Sequence, residues 1–339
     1  MPKNSRLYRT DHSGAIIMIV HFWGSRGSLP AAMETRMIRT KIFKAIKASR
    51  SHRLDTDEAI EAFIREHLPF AVSGTYGCST PCIELKPQAD YVLCDAGAGL
   101  RNFGSAFLLS RQAQPQATPA VFHIFISHPH WDHIQGFPFF TPAYIPGNRI
   151  NIYGCHENLR EAFTGQQSAP FFPVPLAAMR AEILFHTLET GQSSEIAGYT
   201  VRTIKQNHPG DSYGYRFEKD GKAVVYSTDA EHKKEAEADE YAFVDFFRKA
   251  DLLIFDAQYT LLDALDAKEN WGHSSNLFAV EMAVRADVRR LCLFHSEHTY
   301  DDERLDEFLQ ETRDYLDIHA ADHPLKIDLA ADGLEIEVN

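Results

Sequence analysis

The chain has 339 residues, a hydrophobic fraction of 44% and a formal net charge of −13 at neutral pH. That length can bury a large core in one domain or two, and the scattered glycines and prolines argue against extended disorder. The acidic field repels polyanions, so indiscriminate binding to nucleic acid or an anionic membrane is excluded and any phosphate-bearing ligand must be captured locally.

In chain order, residues 1–14 are polar and read as a flexible tail, and Ala15 to Val20 is too short to span a membrane. It opens the first strand, which ends in the glycine-rich FWGSRGSLP, where Gly24 and Gly27 are read as a plain tight turn. From about 31 to 71 the apolar spacing becomes helical and predicts a hairpin of two helices. Asp55-Thr56-Asp57-Glu58 supplies the cap between them. The first helix carries a basic series over 36–53 that includes Arg39, Lys44 and Lys47, whereas the second is acidic. Mutual neutralisation is favoured over a docking arm.

Short strands are expected near 74–85 and 91–95, followed by a helix to about Leu109. Asp95, between strand and helix, either caps that helix or steadies a metal-ligating histidine; the residues leave both readings open. Cys78, Cys82, Cys94, Cys155 and Cys292 are odd in number and read as reduced thiols of a cytoplasmic protein.

The apolar run Val121 to Ile126 predicts a buried strand, and it ends in His128, His130, Asp132 and His133. Residues two apart at a strand exit project to one side, so His128 and His130 can reach one ion together, while Asp132 and His133 serve a neighbouring position. Four potential ligands crowded behind one strand point to metal, with Trp131 between them expected to pack. The segment 137–144 is apolar and broken by prolines, and reads as a pocket wall without regular structure. Further on, strands end in His208, Asp229 and His295, each a ligand type at a strand exit. Asp211, Tyr213 and His298 are candidate pocket residues, and His123 and His186 are read as structural.

HPHWDH at 128–133, followed in order by His208, Asp229 and His295, resembles the ligand series of the metallo-β-lactamase superfamily. FWGSRGSLP, YGCSTPC, FDAQYT, GHSS at 272–275 and LFHSEH look closest to its ribonuclease Z and phosphonate-operon cyclic phosphodiesterase branch. The resemblance implies an α/β fold: an αββα sandwich of two mixed sheets spanning 15–339, with the hairpin at about 31–71 as an insertion. It implies two divalent ions, with zinc preferred over manganese or iron. His128, His130 and His208 would hold one ion, Asp132, His133 and His295 the other, and Asp229 would bridge them. A hydroxide shared by the ions would be the nucleophile, oriented by Asp132. His273 would protonate the leaving group, held by Asp256 where the related ribonuclease uses glutamate.

The expected activity is a metal-dependent phosphodiesterase on small or cyclic nucleotide-like diesters or RNA ends, with RNA reached through the basic helix 36–53. The alternatives are a thioester or lactone hydrolase on the same scaffold, or a protein that binds metal and ligand without turnover. A homodimer is one assembly the sequence allows.

Overall fold

The structure is a computed structural model that describes residues 17–86, 89–112, 118–233, 236, 238, 240–261 and 270–338. The expected tail at 1–14 lies outside these residues.

Along the chain run β1 (Met18–Gly24), α1 (Thr35–Ser49), α2 (Asp57–His67), α3 (Phe70–Ser73), β2 (Cys82–Lys86), β3 (Tyr91–Cys94), α4 (Ala98–Gln112), β4 (Val121–Phe125) and α5 (Trp131–Ile134). These are followed by β5 (Arg149–Gly154), α6 (Leu159–Gln166), β6 (Glu182–Thr187), β7 (Ser193–Ile196), β8 (Tyr199–Gln206), β9 (Ser212–Lys219), β10 (Lys222–Ser227) and α7 (Ala242–Phe247). The chain closes with β11 (Leu252–Asp256), α8 (Asn276–Arg285), β12 (Arg290–Phe294), α9 (Asp302–His319), β13 (Lys326–Leu329) and β14 (Glu335–Val338).

The strands form two sheets, ordered β14-β1-β2-β3-β4-β5-β6 and β13-β12-β11-β10-β9-β8-β7. Both are mixed: β3 to β6 and β10 to β13 are parallel, and the remaining neighbours are antiparallel. Burial on both faces explains why the central strands are almost wholly apolar, and strand alternation assigns each side chain to a layer. In β11, Leu252 and Ile254 join the core between the sheets, while Leu253 and Phe255 face the outer core under α7, α8 and α9. Likewise Phe125 faces inward, and Phe122 and Ile124 pack outward against Phe103 and Phe107 of α4. The result is the four-layer αββα arrangement.

The segment 137–144 departs from expectation. It forms two 3-10 turns whose Phe137, Phe140 and Ala143 are fully buried in the outer core beneath α4, because its aromatic side chains fill that layer. β7 and α7 carry too little periodicity to have been read from the chain.

The stretch 31–71 contains α1 and α2, and Thr56 caps α2 by accepting from Ala59 N at 3.2 Å. α1 has no buried residue, and Ile38, Ile42, Phe43 and Ile46 are all exposed. It is tied to the body through Lys41, which reaches Gly74 O at 2.6 Å and pairs with Asp302, and through Lys44, which pairs with Glu303.

Candidate metal centre

Strand ends decide where the site lies. β4, from one sheet, and β8, β10, β11 and β12, from the other, all release their chains at the same edge of the sandwich. Several exits turn abruptly. Asp95, Asp229 and His295 have φ of 59°, 54° and 63°, in the left-handed region that non-glycine residues rarely occupy. These turns aim carboxylate and imidazole groups across the edge.

Two groups of ligand atoms meet there. One atom each of His128, His130 and His208 lie within 4.8 Å of one another, and so do those of Asp132, His133 and His295. In the first group, His130 Nδ1 and His208 Nε2 are 3.1 Å apart. In the second, His295 Nε2 lies 3.1 Å from Asp132 Oδ2 and 3.2 Å from His133 Nε2. Asp229 faces both. Its Oδ2 is 3.6 Å from His128 Nε2 and 3.8 Å from His208 Nε2, while its Oδ1 is 3.3 Å from His133 Nε2 and 3.4 Å from His295 Nε2.

The donors fit divalent ions on their own chemistry. His128 Nε2 is buried without a hydrogen-bond partner, which strands a lone pair where a cation would take it. Imidazole nitrogens and carboxylates without thiolate suit zinc, manganese or iron. Burial, reinforced by neighbouring imidazoles, lowers the proton affinity of His128, His130 and His208, leaving neutral rings ready to ligate. Burial alone would raise the Asp229 carboxyl, but His133, His295 and His128 outweigh it and hold the group well below the carboxylate range. His133 shows the converse: burial opposes its cation, yet Asp229, Asp132 and Asp95 raise its proton affinity strongly. Carboxylates that draw protons onto imidazoles in this way would favour a bound metal cation in their place.

Behind these candidate ligands stands a layer of support. Asp95 is fully buried and accepts from Ser127 N at 2.7 Å, Ser127 Oγ at 2.8 Å and the Tyr226 hydroxyl at 2.7 Å. Its Oδ2 lies 2.7 Å from His133 Nδ1. Of the two readings left open for Asp95, the structure shows support of a histidine; Ala98 N, at the start of α4, is bound by Thr80 Oγ1 instead. Ser28 N donates to Asp132 Oδ2 at 2.9 Å, and Gly272 O lies 2.9 Å from His208 Nδ1. Gly27 does more than turn the chain: a Cβ there would lie 2.6 Å from His295 Nδ1, and one on Gly272 would lie 2.2 Å from His208 Nδ1. Sequence reasoning missed Ser28, Gly272 and Tyr226 and read Gly27 as a turn alone; the visible signal was that Gly27 and Ser28 fall inside FWGSRGSLP and Gly272 inside GHSS.

Asp256 and His273 also arrive at this edge. His273 Nδ1 is 2.9 Å from Asp256 Oδ2, and Asp256 is anchored by Ala230 N at 3.0 Å and Gln258 N at 3.2 Å. The His273 ring stacks on His295 at 5.1 Å and lies edge-on to His208 at the same distance. Burial disfavours its cation, but the charge and hydrogen bond of Asp256 prevail and raise its pKa to about 8. Asp211 pairs with Lys205 at 2.8 Å and Tyr213 packs on His156, both just beyond His208; His298 pairs with Glu297 at 2.9 Å. His123 and His186 bond to Tyr153 and Asn151 within the sandwich, as structural residues.

A model of the beta-lactamase superfamily domain matches residues 90–296, more than half of the chain. The chain belongs to the metallo-β-lactamase superfamily. Within it, ribonuclease Z of Natronomonas pharaonis is 24% identical over 283 residues, covering 66% of this chain and 82% of that protein. Among solved structures, the metallo-β-lactamase fold protein YhfI from Bacillus subtilis superposes with a TM-score of 0.61 at 19% identity, covering 95% and 99% of the two chains. The short form of human tRNase Z gives 0.55 at 17% identity, covering 95% and 99%. These two structures speak to the shared fold.

One expectation fails at the metal loop. Trp131 does not pack: it is 65% exposed, beside the exposed His130 at the start of α5, while Asp132 on its other side is buried. The basic face of α1 is partly neutralised, with Arg36 on Glu34 and Lys41 and Lys44 on α9; the partner of the latter two is not α2, as the charge pattern suggested, and Arg53, paired with Asp55, lies beyond the end of α1 at Ser49. No described helix is long and apolar enough to cross a membrane.

Proposed function

We propose that the protein is a dinuclear-metal phosphodiesterase acting on small or cyclic nucleotide-like diesters or on RNA ends, built as one domain over 15–339 with the helical insertion at 31–71. One observation carries this reading: the two oxygens of Asp229 face two separate ligand groups, with the Asp256–His273 pair alongside. The ribonuclease Z relatives support the choice of phosphodiesters over other esters.

In this reading His128, His130 and His208 hold one ion, Asp132, His133 and His295 the second, and Asp229 both. Zinc is the preferred metal for this donor set. When bound, two divalent ions supply Lewis acidity and a water of lowered pKa. The chain's own groups do the rest. Asp132, fixed by Ser28 N, accepts a hydrogen bond from the attacking water and so aims it at phosphorus. Asp256 keeps the His273 Nδ1 proton in place, which leaves Nε2 to carry the proton that the departing alkoxide oxygen receives. One P–O bond forms to water and one breaks.

The test is metal-quantified protein assayed on bis(p-nitrophenyl) phosphate, a cyclic nucleotide and an acyl thioester. Diester cleavage that a chelator abolishes and added zinc or manganese restores is expected. Thioester cleavage alone selects the second hydrolase chemistry, and turnover of none of the three selects a binding protein.

A further inference from the structure

The outer core of the first sheet runs out at β6, the last strand in that sheet's order, where Ile183 and Phe185 share one face and are only half-buried. They line an open cleft of about 400 Å³, together with α6 and the segment 168–179. None of its lining residues belongs to the ligand groups of the metal centre.

The surface of this cleft is divided chemically. Leu176, Met179, Ile183 and Phe185 make most of it apolar. The hydroxyls of Thr164 and Ser168 donate to Arg160 O and Gly165 O, at 2.8 and 2.7 Å, so they meet a ligand as acceptors. Gln167 is 1% exposed; its Nε2 donates to Val174 O at 3.1 Å, and its Oε1 is buried without a partner. The Arg160 guanidinium lies 4.7 Å from the centroid of the Phe185 ring and forms no ion pair among the described residues.

A buried amide oxygen without a donor is destabilising, and water is a poor remedy where most of the wall is hydrocarbon and offers it few partners. A ligand that brings an N–H to the acceptors around Gln167 and lays a flat apolar body along Ile183 and Phe185 removes that deficit. Arg160 adds a requirement for negative charge, and its planar fork matches a carboxylate. We propose that the cleft is a second ligand site, separate from the metal centre, for small heteroaromatic carboxylates that carry an N–H. Its volume, near the lower end for small-molecule pockets, suits a bicyclic ring with a short carboxylate arm. The site is independent of the phosphodiesterase reading.

Calorimetric titration of the full chain with indole-3-acetate, indole-3-acetamide and 1-methylindole-3-acetate separates the roles of charge and of the N–H. Indole-3-acetate is expected to bind one equivalent with a Kd at or below about 1 mM, the value for a modest ligand of its size. The neutral acetamide should bind about 10-fold more weakly, and the N-methyl compound about 2- to 10-fold more weakly. Arg160→Gln, on an exposed side chain, should erase the first difference, and Gln167→Leu the second. Ala181→Phe, which puts a ring into the cleft, should abolish binding while circular dichroism shows the fold kept. No saturable binding to the native chain, equal affinity for the three ligands, or differences that survive both Arg160→Gln and Gln167→Leu would overturn the site. Binding that persists in Ala181→Phe would overturn it too, by showing that the ligand sits elsewhere.

Discussion

Asp95→Asn tests whether the second ligand group is built to hold an ion. Three donors meet the carboxylate directly, and its Oδ2 lies 2.7 Å from His133 Nδ1 in the same buried pocket. Asparagine offers one acceptor oxygen and an amide donor. The least damaging orientation turns the amide toward Ser127 N and keeps oxygen toward His133, leaving two donors face to face. That unsatisfied pair costs about 1–3 kcal/mol, which lowers the unfolding temperature of a chain this size by roughly 1–4 °C. The uncharged oxygen also makes His133 a poorer ligand, and loss of such a partner weakens metal binding about 10- to 100-fold, or roughly 1.4–2.7 kcal/mol. Stripped protein titrated against a chromophoric chelator reads both equivalents of zinc. The equivalent at Asp132, His133 and His295 should weaken, and the one at His128, His130 and His208 should change far less. Equal weakening of both, or of neither, would refute the proposed division of ligands.

His273→Ala should keep both metals and lower kcat on an alkyl diester by about 10²- to 10⁴-fold, with a smaller loss for a p-nitrophenol leaving group that needs no proton; equal losses on both would count against an acid role. Gly27→Ala places a methyl 2.6 Å from His295 Nδ1, so metal content should drop toward one ion per chain with the fold kept by circular dichroism. Reversing charge at Arg39 and Lys47, which form no ion pair among the described residues, should weaken binding of a structured RNA and spare a dinucleotide; equal effects would remove the RNA arm. His232 has its Nε2 buried without a partner among Tyr241, Phe243, Phe255 and Phe278, and burial depresses its pKa to about 3. The unfolded chain then binds the extra proton below about pH 6.5. Its cost is absent above that pH and grows to roughly 2 kcal/mol at pH 5. His232→Phe should flatten the change in urea midpoint between pH 7 and pH 5 relative to the native protein.

What the sequence made legible follows from where chemistry lies in side chains. His128, His130, Asp132 and His133 stand out because four residues of metal-binding type share one strand exit, and the family resemblance rests on that cluster being followed in order by His208, Asp229 and His295. The sheets were legible because strands such as β11 are apolar on both faces. What stayed hidden acts through backbone or through shape. Ser28 contributes an amide that any residue possesses, and Gly27 and Gly272 contribute the absence of a Cβ. Trp131 was misread because its type says core, whereas it stands exposed next to an exposed His130. α1 was recognisable as amphipathic, yet its apolar side faces solvent, which spacing alone could not reveal.

Tyr226 ties together a site assembled from two sheets. Its ring belongs to the core between the sheets, 5.6 Å from Phe294, while its hydroxyl ends on Asp95 at the other sheet's edge. The Tyr215 hydroxyl does the same one strand away, donating to Ile126 O at 2.6 Å just before the metal loop. Both tyrosines come from the sheet that delivers Asp229, and both bind the sheet that delivers His128 and His133. Interiors pack like crystals and transmit displacement instead of absorbing it. The separation of Asp229 from the two histidines is therefore set by the inter-sheet core as much as by the loops. It follows that loss of volume at the core residues directly beneath the site should disturb metal binding before it disturbs the fold.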